Sequence, residues 1–180
     1  MQQSNPFFLL SITLVAALGG LLFGFDMAVI SGVLPFVQEQ FALTALEEGW
    51  FVSSALVGCI IGVAFSGELS DRLGRKKMLI LSAVLFLLSA VGTCLAPGLT
   101  LLIAARIVGG LGVGVASNVA PLFISEIAPA KIRGRLVTFY QLAITVGILA
   151  AYLSNSALHG YAAAHQGTAA EGLGSYIFIR

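Results

Sequence analysis

Long apolar runs that are almost free of charge constrain this chain more than any other feature of its sequence. Five runs reach the length of about 20 apolar residues that a membrane-spanning helix needs. They cover residues 7–37, 49–69, 78–96, 99–127 and 136–158. The runs are continuous and lack the period-two alternation of membrane β-strands. We therefore predict an all-α integral membrane protein with five transmembrane helices.

The composition supports lipid as the solvent for most of the chain. It is 58% hydrophobic and 9% charged, whereas a soluble domain carries about 25% charged residues. The formal net charge of +1 gives no electrostatic reason to bind nucleic acid. A basic run at 72–77 abuts an apolar run on each side, so we interpret it as charge that flanks a membrane.

Neither cysteines nor histidines form a pattern that indicates chemistry. Cys59 and Cys94 both lie inside apolar runs and are interpreted as packing residues. His159 and His165 fall in a polar stretch and are expected to be solvated loop residues. Because the sequence shows no metal-ligand spacing and no nucleophile–base set, we predict no metal, no cofactor and no enzymatic activity.

The basic residues predict which side of the membrane each loop faces. Residues 67–77 are predicted to form a charged loop, and they hold six of the seventeen charged side chains. The next loop on the same side holds Lys131, Arg133 and Arg135. The opposite loops hold acidic residues and no internal basic residue: Glu39, Glu47, Glu48 and Glu171. Since basic loops stay in the cytoplasm, the N-terminus is predicted to be cytoplasmic.

These spans divide the chain into three regions. We expect a cytoplasmic tail at 1–6, five helices of one bundle at 7–158, and an external loop with the start of a sixth helix at 159–180. Because five spans close no bundle, we expect the chain to be a fragment of a longer polypeptide. A five-helix protein complete in itself is the alternative.

Two ionisable residues, Asp26 and Arg106, lie inside the predicted helices. Each is expected about seven residues below the outer end of its helix, roughly 10 Å at 1.5 Å per residue, so the two could meet. One interpretation is a structural salt bridge. The other is a protonation site in which Arg106 tunes the acidity of Asp26. We favour the second, because buried charge pairs seldom add net stability.

Other intramembrane features leave two interpretations open. Gln141 and Thr145 lie one turn apart on the fifth helix, which suits a ligand rich in hydroxyl groups or an interhelical hydrogen bond equally well. Glycines are dense on the first, second and fourth helices. They allow either tight static packing or helices that slide past one another.

Four motifs together resemble one transporter family. The pattern GxxxDRxGRK at 67–76 resembles the signature of the major facilitator superfamily. The segment PLFISEIAPAKIRG at 121–134 resembles the signature of its sugar porters, with Phe123 where that family usually has tyrosine. GGLLFGFDMAVISG at 19–32 and QLAITVGI at 141–148 resemble the same family. The resemblance extends over nearly all of residues 8–155.

The resemblance implies a twelve-helix fold made of two six-helix halves, of which this chain would supply most of the N-terminal half. It implies a secondary transporter of a monosaccharide, a pentose or a hexose, in the plasma (inner) membrane. Sugar would bind between the halves, with Gln141 and Phe23 among its contacts. The partners implied are the sugar, a proton, the lipid bilayer and the missing C-terminal half.

The resemblance also assigns roles to the charged residues. Asp26 with Arg106 implies proton symport by alternating access, since facilitative relatives usually carry asparagine in place of the acid. A charged cluster at the cytoplasmic helix ends would latch the inner gate: Asp71, Arg72, Arg75, Glu126 and Arg133. The alternatives to a transporter are a sugar sensor of the same family and a truncated membrane protein that transports nothing.

Overall fold

The computed structural model describes the backbone of residues 6–164 and the side chains of residues 13–160, apart from 15, 16 and 40. Within residues 6–164 there are five α-helices: α1 Pro6–Phe41, α2 Ala45–Leu73, α3 Arg75–Cys94, α4 Leu99–Ile127 and α5 Arg133–Ala164. All five are long and apolar enough to cross a membrane. The prediction of an all-α membrane protein with five spanning helices is confirmed.

The first and last helices are longer than their apolar runs. α1 continues to Phe41, and α5 reaches Ala164. The prediction of His159 as a loop residue is wrong, because it lies in α5 with its ring centroid 5.4 Å from that of Phe36 on α1. Residues 1–5 and 165–180 lie outside the described residues, and with them most of the expected tail, the expected sixth helix and His165.

The predicted charged loop at 67–77 is also wrong. α2 runs to Leu73 and α3 starts at Arg75, so Gly74 is the only residue between the two helices. Gly74 has φ +89° and ψ 147°, a conformation open almost only to glycine. The high charge density favoured a loop, but these charges lie on helix ends that project past the apolar part of the span.

Two close helix pairs build the bundle, and one of them is α1 with α5. A Cβ atom added to Gly24 would strike the backbone carbonyl of Ile144, and one added to Gly147 would strike that of Leu21. The two backbones therefore touch without side chains between them. The contacts of Gly20 with Tyr140, Gly24 with Ile144 and Gly32 with Asn155 advance in the same direction along both helices, so this pair is parallel.

The second pair is α2 with α4, and it has the same construction. Gly58 faces the carbonyl of Ile107, and Gly110 faces the carbonyl of Ala55. Gly62 faces the carbonyl of Leu111, four residues further along both helices, so these helices are parallel as well. Glycine at such contacts lets the backbones approach closely, which is how helices associate in lipid, where the hydrophobic effect cannot drive them together.

The two pairs are related residue by residue. Adding 86 to the number of a residue in α1 gives the number of the equivalent residue in α4. Subtracting 89 from the number of a residue in α5 gives the equivalent residue in α2. The contact of Gly24 with Ile144 thus corresponds to that of Gly110 with Ala55, and the contact of Gly147 with Leu21 corresponds to that of Gly58 with Ile107. The prolines inside α1 and α4, Pro35 and Pro121, obey the same rule. Because the equivalent helices cross in opposite directions, the repeat is inverted.

The remaining helix, α3, packs on the side of α4 and completes the bundle. Gly92 of α3 faces Ala105, and Gly109 of α4 faces Ser89, so this contact is also close. The outer side of α3 is apolar and open, with Leu87 64% exposed. Such a surface is stable against lipid tails and not against water.

Candidate functional site

Arg106 lies in the first half of α4 and has an incomplete set of partners. Its guanidinium carbon is 5.6 Å from the centre of the Phe51 ring, a cation–π geometry. Its Nε is buried and has no hydrogen-bond partner among the described residues. A buried cation with an unfilled donor is poised for a further partner, since buried polar groups are nearly always satisfied.

Asp26 lies on α1, close enough to Arg106 for the two charges to interact. No nitrogen–oxygen distance of 4.0 Å or less joins them in the part of the chain that the structure describes, so the structural salt bridge, the less favoured of the two interpretations, is not formed. Asp26 also has no hydrogen bond among these residues. The carboxyl group is therefore available for protonation without breaking a bonded contact.

The length of α1 explains why the two charges do not meet. Val37, near the end of α1, and Leu102, near the start of α4, belong to the same buried core cluster. Asp26 is eleven residues below Val37, or about 16 Å, and Arg106 is four below Leu102, or about 6 Å. The sequence estimate counted from Val33 as the outer end of the helix, which placed Asp26 too high.

The two expected sugar contacts, Phe23 and Gln141, lie on the α1–α5 pair. Phe23 is half-buried on α1, and Gln141 is exposed on α5. The Gln141 carboxamide forms no hydrogen bond within the described residues, while its backbone carbonyl accepts from Thr145 Oγ1 at 3.2 Å. Its donors and acceptor are thus free for a ligand. The contact of Gly20 with Tyr140 places Gln141 closer than Phe23 to the N-terminal ends of these two parallel helices.

An open cavity of about 400 Å³ lies near the start of α5. Its lining residues are Gly134, Arg135, Thr138, Phe139 and Leu142. Neither Phe23 nor Gln141 contributes to it. It therefore does not represent the expected sugar site, which needs a second half to enclose it.

Arg75 is the centre of a charged cluster at the junction of α2 and α3, the side predicted from sequence to be cytoplasmic. Its Nε and Nη2 both donate to Glu126 Oε1 of α4 at 3.1 Å. Its Nη1 donates to Asp71 of α2 and to Ser70 Oγ at 3.2 Å. One guanidinium at the start of α3 therefore ties together the ends of three helices, as its planar array of donors permits.

The other two basic residues predicted for this cluster lie apart from it. Arg72 pairs with Glu68 one turn back along α2 at 2.6 Å, and both side chains are 73% exposed. Arg133 donates to the carbonyl of Ala128 at 3.5 Å, which is a long contact. The structure thus joins Asp71, Arg75 and Glu126 and leaves Arg72 and Arg133 outside this cluster.

Sequence reasoning missed several polar contacts inside the bundle. Asn118 of α4 donates to Ser66 Oγ of α2 at 2.7 Å. Asn155 of α5 donates to the carbonyl of Val29 at 3.4 Å and lies directly against Gly32 of α1. The second contact lies at the position equivalent to the first. An internal repeat of 86 residues, had it been sought, would have linked Gly32 with Asn118.

Comparison with known proteins identifies the family. Residues 12–172 match the profile described as "Sugar (and other) transporter". The chain therefore belongs to the sugar transporter family of membrane proteins, whose members are transporters and not enzymes.

Individual relatives and solved structures agree with this assignment. The galactose-proton symporter of Escherichia coli K12 is 48% identical over 155 residues, which are 86% of this chain and 33% of that protein. The arabinose-proton symporter of the same strain is 47% identical over 81% of this chain and 31% of its own length. The structure of the proton:xylose symporter XylE bound to 6-bromo-6-deoxy-D-glucose, a major facilitator protein, matches with a TM-score of 0.81 and 40% identity over 95% of this chain and 40% of that one.

The chain thus spans about a third of the length of the curated relatives it matches. This partial coverage fits the expected N-terminal half of a major facilitator fold.

Proposed function

We propose that the protein to which these residues belong is a secondary transporter of a pentose or hexose, which it carries together with a proton by alternating access. The observation that carries the proposal is Asp26, a carboxylic acid deep in α1 without a bonded partner. It belongs to a chain similar to sugar-proton symporters. Intramembrane acids are costly and rare outside ion and proton pathways.

The electrostatic attraction between Asp26 and Arg106 depends on whether Asp26 is protonated. When Asp26 is charged, it attracts Arg106 across the bundle. A proton taken from outside removes that attraction, and the protein then binds sugar at Gln141 and Phe23. After the halves rock, Asp26 releases its proton to the cytoplasm and the attraction to Arg106 returns.

The charged cluster of Asp71, Arg75 and Glu126 supports an inner gate in this scheme. Its three members hold α2, α3 and α4 together at the side proposed to be cytoplasmic. Arg72 and Arg133, outside the cluster, are the proposed partners for the second half of the protein. The orientation rests on the basic loops, and the proposed location is the plasma membrane.

The proton gradient supplies enough energy for uphill uptake. One charge that crosses 100 mV gains about 2.3 kcal/mol, which corresponds to roughly fifty-fold accumulation of sugar. Replacing Asp26 by asparagine keeps the shape of the side chain but removes its ability to change charge. In the full-length protein we expect Asp26→Asn to abolish accumulation and to leave sugar exchange largely intact.

Radiolabelled galactose, arabinose and xylose in membrane vesicles, with and without a pH gradient, provide the measurement. Glu68→Gln is the matched control, because it neutralises an exposed acid outside the membrane and should leave accumulation unchanged. Continued accumulation by Asp26→Asn would show that another group couples the proton. If the wild-type protein binds these sugars and moves none of them, the protein is a sensor instead.

A further inference from the structure

Phe51 of α2 presents its ring to the Arg106 guanidinium at a position that the core of the bundle holds fixed. The guanidinium carbon lies 5.6 Å from the centre of the ring. Only 2% of Phe51 is exposed, and it belongs to a buried cluster with Val37, Ala96 and Leu102. Because such clusters are close-packed, the ring offers the cation one defined place to stack.

The internal repeat separates the packing role of this ring from its contact with the cation. Phe51 is equivalent to Tyr140, and Arg106 is equivalent to Gly20. A Cβ added to Gly20 would lie 3.0 Å from Tyr140 Cε2, so the same two helix positions touch in both pairs. Tyr140 is 5% exposed. Both helix pairs therefore bury an aromatic ring at this contact, but the pair of α2 with α4 also places a cation against it.

Two groups on different helices attract Arg106. The Phe51 ring approaches it from α2, and the Asp26 carboxyl group acts on it from α1. Among the described residues, α2, α3 and α5 bring no other charged group that acts on Arg106 or on Asp26. No nitrogen–oxygen contact of 4.0 Å or less joins Arg106 to Asp26 there. In this structure the guanidinium thus stacks on the ring and leaves the acid unpaired.

The two attractions respond differently to a proton. A charged carboxylate attracts a guanidinium strongly in a site of low dielectric constant, and a protonated carboxyl group does not. The attraction of the Phe51 ring is the same in both cases, because a phenyl ring does not titrate. The long Arg106 side chain can exchange one partner for the other by a change of rotamer. The ring therefore competes with the charged acid and has no competitor once the acid is protonated.

We propose that Phe51 is a positioning residue for proton coupling, whose ring receives the Arg106 guanidinium when Asp26 takes up a proton. By competing with the charged acid, the ring sets the external pH at which uptake proceeds. This inference rests on the proposed function, because it concerns the acid that couples the proton in that scheme.

Phe51→Leu and Phe51→Met in the full-length protein remove the ring and keep an apolar side chain. Sugar accumulation in right-side-out vesicles is measured as a function of external pH. Without the ring, the charged acid holds Arg106 more strongly, so a more acidic medium is needed to protonate it. We expect the external pH of half-maximal accumulation to fall by about 0.5–1.5 units in both variants. Phe51→Tyr keeps a ring and should retain the wild-type value.

Tyr140→Leu is the matched control, because it removes the equivalent ring at the contact where the facing residue is a glycine. It should lower the melting temperature in detergent, as Phe51→Leu should, and leave the pH of half-maximal accumulation unchanged. Wild-type pH values for both ring-less variants of Phe51, an equal shift in Tyr140→Leu, or a shift in Phe51→Tyr would overturn this inference alone. A wild-type protein that does not accumulate sugar in a pH gradient would overturn the proposed function as well.

Discussion

At the scale of single residues, Arg75 and Arg72 carry the same charge three positions apart but have different surroundings. Arg75 contacts Asp71, Ser70 and Glu126, and 22% of its side chain is exposed. Among the described residues, Arg72 forms an ion pair with Glu68 alone, and it is mostly exposed. Arg75 therefore fixes the relative positions of three helix ends, while Arg72 adds little to this half of the bundle.

Because their contacts differ, the same substitution should have different effects at Arg75 and at Arg72. Arg75→Lys keeps the charge but loses the array of donors, so one ammonium group cannot serve α2 and α4 together. We expect a several-fold loss of sugar uptake and a lower melting temperature in detergent. Arg72→Lys, the matched variant, should leave the melting temperature unchanged. Equal melting temperatures for the two variants would contradict a central position for Arg75.

The residues of this cluster could be predicted from sequence, but their partners could not. The motif at 67–76 indicated charged residues at a helix end, and Asp71, Arg75 and Glu126 do meet. Arg72 and Arg75 each follow an acidic residue by four positions, so helical spacing alone gives both the same local partner. Only the packing of α4 against α3 decides which one reaches Glu126.

At the scale of elements, the junction of α2 and α3 depends on one residue. Gly74 adopts φ +89° with no atom within 4 Å of the position of a Cβ. Gly74→Ala therefore meets no steric obstacle and reports backbone strain alone, about 1–3 kcal/mol.

Thermal unfolding in detergent should show Gly74→Ala as clearly less stable than the wild type. Gly67→Ala is the control, since Gly67 lies within α2 and also has open space around it. Alanine there should stabilise the protein by about 0.5–1 kcal/mol. A neutral Gly74→Ala variant would mean that the junction tolerates another backbone conformation.

Elements were predicted well where hydrophobicity alone determines them. α4 was predicted with its observed bounds, because Pro97 and Gly98 interrupt the apolar sequence before Leu99 and Pro129 interrupts it after Ile127. The predicted α2 and α3 stopped short of their junction at Gly74, because charged residues that continue a helix past its apolar part resemble a loop in composition. The i, i+4 ion pair of Arg72 with Glu68 shows that this stretch is helical instead.

At the scale of the whole molecule, the inverted repeat predicts paired effects of substitution. Gly24→Ala would force a Cβ against the carbonyl of Ile144, and Gly110→Ala would force one against that of Ala55. We expect each to destabilise the bundle by about 1–3 kcal/mol, and by similar amounts.

Melting temperatures of the two variants in detergent provide the measurement. Gly19→Ala, where nothing lies within 4 Å, should be neutral or stabilising. A large difference between Gly24→Ala and Gly110→Ala would show that the two helix pairs do not tolerate strain equally, despite their equivalent contacts.

The close pairing of α1 with α5 has a consequence for how the protein is made. Gly24 and its contact Ile144 are separated by about 120 residues, which take a ribosome on the order of ten seconds to add. During that interval α1 is already synthesised while its backbone partner does not yet exist. The glycine surface that later holds α5 must therefore rest against lipid or the insertion machinery, and any factor that shields it there would act on the newborn chain alone.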